Sequence, residues 1–200
     1  LALGAFDPGF SAAITYGGGA GFDTLVGTNE TNTWHITGEN TGTLNTLITF
    51  VGAENQAGGS GQDDFVFAEG ADVWGMLDGG SGGFDTADYS AAISDITVDL
   101  GRYLDNIDAV IGGTGSDTLI GFDDFTTWNI TGAGGGNVVV RDDEGTLIAE
   151  VSFTNFENLK GTFAKDTFVF ADGAGVAGTI DGGDGSNTLD YSPYSNSVTV

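Results

Sequence analysis

The chain has 200 residues, 40% of them hydrophobic and 14 of them Phe, enough to bury a core, so disorder is excluded. Twenty-nine acidic residues against four basic ones give a formal charge of −25, which repels nucleic acid and anionic membrane surfaces. Cysteine is absent, which removes disulfides, thiolate metal sites and thiol nucleophiles, and no apolar run reaches membrane-spanning length.

In chain order, short β-rich runs begin with TLV at 24, WHIT at 34, TLITF at 46, FVF at 65 and ADYS at 87. ITVDL at 96, AVI at 109, TLI at 118, WNIT at 128 and VVV at 138 follow, then AEVSF at 149, TFVF at 167, GTI at 178, TLDYS at 188 and VTV at 198. Gly, Asn and Asp separate these runs, as expected of strands and turns, and no stretch has a helical period.

Residues 17–110 recur as 111–200. DTLVG at 23 returns as DTLIG at 117, TWHITG at 33 as TWNITG at 127, DFVFAEGA at 64 as TFVFADGA at 167, and DYS at 88 as DYS at 190. Even strand spacing suits a β-sandwich or a parallel β-solenoid. Self-similarity, Gly-rich corners and only two prolines favour the solenoid. The expectation is an all-β, right-handed parallel β-solenoid of coils of about 20 residues, a rod about 50 Å long at about 4.8 Å per coil. Such a rod spreads the negative charge.

The whole of 1–200 reads as one solenoid segment of a longer array: there is no initiator Met, and SVTV at the end matches SDITV halfway through a repeat. The second copy is therefore read as truncated. It also carries a nine-residue excess around 137–151, where DDEG between VVV and LIA reads as a β-hairpin insertion. As a surface loop of a repeat array it reads as a harmless protrusion rather than a binding loop.

The sharpest motif is GGxGxDx(apolar)x, present as GGAGFDTLV at 18, GGSGQDDFV at 58 and GGTGSDTLI at 112. GGSGGFDTAD at 79 has an extra Gly, and GGDGSNTLD at 182 has Asn187 for Asp. The pattern resembles the RTX-type nonapeptide repeats of calcium-binding β-rolls and of giant secreted bacterial surface proteins and adhesins. The resemblance implies calcium held between successive turns by Asp23, Asp63, Asp85 and Asp117, with carbonyls of Gly59, Gly61, Gly80, Gly82, Gly113 and Gly115. Six to eight oxygen ligands suit this hard ion, and glycines let carbonyls converge. The motifs here are dispersed rather than back to back, and the pair on adjacent coils of copy two contains Lys165 and Asn187, which weakens a site there. The alternative is a turn whose Asp caps backbone amides.

Comparing the copies sorts the remaining candidates. His35, the only histidine, becomes Asn129, so it reads as structural rather than as an acid or base. Trp34 and Trp128 recur and read as buried rather than as a sugar platform, whereas Trp74 becomes Ala177. The FVF triplets put Phe65, Phe67, Phe168 and Phe170 on one face, toward a core. Neighbours such as Asp63 and Asp64, or Asp142 and Asp143, point to opposite faces of a strand, and no catalytic pair follows from them. The expected function is a structural or adhesive repeat module of an extracellular bacterial cell-surface or filament protein, calcium-stabilised and not an enzyme. Its partners would be the neighbouring repeats of its own chain, further copies in a filament, and surface glycans, with no nucleic acid and no membrane insertion. A carbohydrate-binding solenoid module is the alternative, and a β-helix polysaccharide-active enzyme the third.

Overall fold

The computed structural model describes residues 13–195, and the strand expected at 198 lies outside them. Among the described residues there is no helix, and the chain is all-β. Its strands are β1 (Ile14–Gly17), β2 (Thr24–Val26), β3 (Asn32–Gly38), β4 (Thr41–Leu44), β5 (Ile48–Val51), β6 (Asn55–Gly59) and β7 (Asp63–Phe67). Next come β8 (Leu77–Gly80), β9 (Thr86–Asp88), β10 (Thr97–Asp99), β11 (Leu104–Asp105), β12 (Ala109–Ile111), β13 (Thr118–Ile120) and β14 (Thr126–Gly132). The last are β15 (Gly135–Arg141), β16 (Leu147–Thr154), β17 (Asn158–Lys160), β18 (Asp166–Phe170), β19 (Ile180–Asp181) and β20 (Thr188–Asp190).

The chain divides into two compact units. One runs to Ile93 and takes in Tyr103–Ala109; the other consists of Ser94–Arg102 and the chain from Val110. The first has strands in the order β1-β5-β4-β3-β7-β9, with a four-stranded sheet β11-β8-β6-β2. The second has β12-β16-β15-β14-β18-β20, with a four-stranded sheet β10-β13-β17-β19. The longer orders match strand for strand, so the sequence repeat is also a repeat of topology.

Each unit has one antiparallel meander, β3-β4-β5 in the first and β14-β15-β16 in the second, while β1 with β5, β3 with β7, β7 with β9, β14 with β18 and β18 with β20 pair in parallel. Parallel partners bring equivalent side chains onto one another. Trp34 stands opposite Phe65 and Phe65 opposite Ala87, while Trp128 stands opposite Phe168 and Phe168 opposite Leu189. Trp34, Phe65, Ala87, Trp128 and Phe168 of these rungs are buried in the core. Trp34 stacks on Phe65 at 5.5 Å and meets Phe50 edge-on at 6.0 Å; Trp128 stacks on Phe168 at 5.4 Å and meets Phe153 edge-on at 6.1 Å. Offset stacking and edge contacts are the arrangements that aromatic quadrupoles favour. Both Trp rings and all four FVF phenylalanines are buried, so the inward alternation read from the sequence holds and neither Trp offers a sugar platform.

The nine-residue excess has a defined place. Trp34, Leu44 and Ile48 form one antiparallel rung, and Trp128, Val138 and Val151 form its equivalent. In copy one the chain reverses at once through Asn45 and Thr46, whose φ of 50° and 58° make a tight primed turn closed by Leu47 N–H to Leu44 O at 3.1 Å. In copy two it continues to Arg141, turns at 142–146 and returns. A meander is thus common to both copies, and copy two only lengthens it.

Two backbone constraints explain much of the Gly and Asn. Asn40 (φ 50°) and its counterpart Gly134 (φ 64°) are left-handed, as are Gly52 (φ 68°) and its counterpart Asn155 (φ 61°). Gly and Asn are the residues that tolerate this region, which is why they interchange between copies. Gly58 and its counterpart Gly161 serve close approach instead. A Cβ on Gly58 would overlap the Asp63 carboxylate and the Gly79 carbonyl, and one on Gly161 would overlap the Asp166 carboxylate and the Gly182 carbonyl.

Gly58→Ala is accordingly expected to destabilise the protein by about 1–3 kcal/mol through overpacking. Gly38→Ala, where nothing lies within 4 Å of the new Cβ, should shift stability by less than about 1 kcal/mol. Equal urea midpoints for the two variants would refute the close-packing argument.

Candidate functional site

The Asp residues of the Gly-rich motif lie at strand entrances, where a first N–H points out of its own strand and needs an acceptor. In both copies a side chain further along the chain supplies it. Asp23 N–H donates to Glu54 Oε2 at 2.9 Å, and its counterpart Asp117 N–H donates to Glu157 Oε2 at 2.9 Å. Asp63 N–H donates to Asp85 Oδ1 at 2.7 Å, and its counterpart Asp166 N–H donates to Asn187 Oδ1 at 3.0 Å. Asp85 N–H extends the series to Asp108 Oδ2 at 2.7 Å. The result is a ladder of side-chain acceptors capping backbone amides. The Asp85/Asn187 exchange keeps the acceptor and drops the charge, so at that rung the ladder requires an oxygen and not an anion.

The sequence-selected metal ligands divide on this geometry. Asp117 has both oxygens engaged, Oδ1 by Ile96 N–H at 3.0 Å and Oδ2 by Gly113 N–H at 2.7 Å. Asp23 and Asp63 each retain a buried Oδ2 without a hydrogen-bond partner, an orphaned acceptor of the kind a cation satisfies. Gly59 ends β6 opposite Gly80 of β8, and its carbonyl already accepts Ser81 N–H at 2.9 Å. Gly61, Gly82 and Gly115 sit in the turns that follow β6, β8 and β12, and Gly113 is a buried N–H donor. Among the described residues no three His, Cys, Asp or Glu side chains group as a metal cage. Any ion at Asp63 and Asp85 would therefore draw most of its ligands from backbone carbonyls. The leading glycines 58–59 and 79–80 lie inside β6 and β8 rather than in turns, because the neighbouring backbone leaves no room for side chains there.

The two copies handle the central carboxylate differently. Trp128 Nε1 donates to Asp166 Oδ1 at 3.1 Å. In copy one Asn32, which replaces Thr126, donates its own amide to Asp63 Oδ1, and Trp34 Nε1 is left buried without a partner. Burial pushes the Asp63 carboxyl up to about 6, opposed by the Asn32 bond and reinforced by the charge of Asp85. Burial likewise raises Asp85 to about 6, opposed by the Asp63 amide and reinforced by Asp108. Of the other candidates, His35 is exposed on β3 and Trp74 is 57% exposed. Asp63 is buried while Asp64 faces outward, so they do not act on one substrate face. Glu54, Glu157 and Asp108 were not singled out in the sequence. The recurrence of Glu54 as Glu157, in GAEN and NFEN, was the available signal.

Compared with protein-family models, curated proteins and solved structures, the chain matches none. Its function has to be argued from its own residues.

A carboxyl whose folded pKa lies above its unfolded value favours the native state fully below the unfolded pKa, and that contribution is lost as pH rises through the folded one. For Asp63 and Asp85 the window runs from about 4 to about 6. In calcium-free buffer the melting temperature should be higher at pH 5 than at pH 7.5. Asp85→Asn, which copies Asn187, should raise the pH 7.5 value and flatten the slope, whereas Asp85→Ala should lose about 1–3 kcal/mol by stranding the Asp63 amide. A pH profile unchanged by Asp85→Asn would refute the assignment.

Proposed function

We propose that the chain is a structural and adhesive repeat module of an extracellular bacterial surface or filament protein, folded as a right-handed parallel β-solenoid of coils of about 20 residues. One observation carries this reading: what recurs between the copies holds backbone and core, and what could do chemistry does not recur. The amide ladder and the aromatic rungs return at equivalent places. His35 and Trp74 do not. Strand pairing supports it further, since Thr97 stands opposite Thr118 and Leu159 opposite Ile180, both offsets of one repeated interval. In such a fold each turn of chain contacts only its neighbours, and length is what selection acts on.

The GGxGxD resemblance to RTX-type repeats supports placing the protein among secreted surface proteins. The orphaned Asp63 oxygen supports calcium as a stabiliser at Asp63 and Asp85. When bound there, the ion would neutralise carboxylates whose burial disfavours their charge. Self-association into filaments is the structural variant. An open strand edge at a solenoid end is a template for pairing with another chain. We assign no catalytic role.

After chelation, millimolar calcium at pH 7.5 should raise the melting temperature by on the order of 5 °C, and Asp63→Asn should abolish the rise. An unchanged melting curve removes calcium from the proposal. Negative-stain images of the intact protein that contain only short, unassociated particles would remove the filament variant.

A further inference from the structure

The lengthened hairpin of copy two forms one wall of a groove. It encloses about 450 Å³ and is lined by Phe125, Thr127, Val139, Arg141, Asp143 and Lys165, among others. Strand register places these side chains. Val139 pairs with Thr127, and Thr127 with Thr167, so one rung on the outward face runs across β15, β14 and β18. Arg141 ends β15, and Phe125 and Lys165 immediately precede β14 and β18, so the three form a row at the same end of this rung, and all three line the groove.

Three features make this more than a surface dent. Two of only four basic residues in a chain of charge −25 converge on it. All three members of the row are specific to copy two: Phe125 stands where copy one has Thr31, Lys165 where it has Gln62, and Arg141 belongs to the extension. The frame is also fixed. Phe125 N–H donates to Asp124 Oδ1 at 2.8 Å, and Thr126 N–H to the Lys165 carbonyl at 3.1 Å. Asp142 Oδ1 accepts Thr146 N–H at 2.7 Å and Glu144 N–H at 3.0 Å, and Arg141 Nη1 donates to the Gly145 carbonyl at 3.1 Å. These bonds hold the Asp142 carboxyl below its ordinary value and tie its charge to the turn. Phe125 is nonetheless 52% exposed, an aromatic face left open to solvent.

We propose that this groove binds an acidic sugar, a uronic-acid unit of a polysaccharide. Phe125 would receive the C–H face of the ring, and Lys165 and Arg141 its carboxylate. The Asp143 carboxylate and the Thr127 and Thr167 hydroxyls would serve the sugar hydroxyls. A bare inorganic anion would leave the exposed Phe125 face unused. A neutral sugar leaves both cations unused. A short apolar-walled groove with a few convergent polar groups suits one or two sugar rings. The inference rests on the adhesive part of the proposed function and supplies its ligand class.

The test is calorimetric titration of the full chain with a digalacturonate and with its methyl ester, in chelator so that calcium bridging is excluded. The expected result is saturable binding of the acid with a Kd below about 1 mM, at least tenfold weaker for the ester. Lys165→Gln and Phe125→Thr, which restore the residues of copy one, should each weaken the acid about tenfold, with unchanged melting curves. The proposal is overturned by no saturation at 10 mM ligand, by equal affinity for acid and ester, or by binding that survives the two substitutions combined. Any of these leaves the calcium and filament tests, and the scaffold reading they address, untouched.

Discussion

The constraint on which each unit depends is that strands pair in parallel with equivalent residues opposite one another. With Trp34 on Phe65 and Trp128 on Phe168, inward aromatic positions stack on one another and inward positions stay inward from strand to strand. Like on like is favourable for stacked aromatics and unfavourable for charge. The outward faces can carry most of the 29 acidic residues because water screens them. The inward carboxylates have no such relief, and the amide ladder is the local solution. Glu54, Asp85, Asp117 and Asp166 each accept a backbone N–H that would otherwise be orphaned, so two costs cancel against each other, whereas Asp63 accepts only the Asn32 side-chain amide.

That cancellation is incomplete in copy one, and the difference is instructive. The Asp166 carboxylate accepts from the Trp128 indole and from Thr162 N–H, and the Asp166 N–H donates to the uncharged Asn187 side chain. Asp63 faces a second carboxylate, Asp85, and keeps an unpartnered oxygen. Copy two has the quieter arrangement, with one charge fewer. Copy one retains a stressed pair, which ties the calcium proposal to copy one and gives the pH response its sign.

The same division explains where new function can enter a repeat. Rungs shared by both copies are fixed by packing on both sides, and a change there must be accommodated by the strands above and below. The antiparallel meander is different: its tip turns back on itself and can lengthen without altering the rung at its base. Copy one closes it with Asn45 and Thr46, while copy two extends it to Arg141 and 142–146. Phe125 and Lys165 then stand beside the longer arm, on the outward side of strands whose inward side is conserved between the copies.

Much of this was legible in the sequence and some of it was not, for identifiable reasons. Runs rich in β-branched and aromatic residues were found as strands because their own side chains prefer the extended state: TLV, FVF, TLI and TFVF are β2, β7, β13 and β18. NQAGG, LDGG and NLK carry no such preference, yet they are β6, β8 and β17, because neighbouring strands on both sides impose the ladder on them. Comparison of the copies identified the buried Trp and Phe positions and removed Trp74. It could also have found Glu54 and Glu157, had acidic residues been sought as amide acceptors. The amino-acid sequence by itself determined the all-β character, the repeat and the inward faces, since these follow from local preference and period. Only the tertiary structure decided that Asp85 caps the Asp63 amide, that both Asp117 oxygens accept backbone N–H groups, and that Arg141, Phe125 and Lys165 line one groove. Those facts depend on register between strands up to 40 residues apart, which no local pattern encodes.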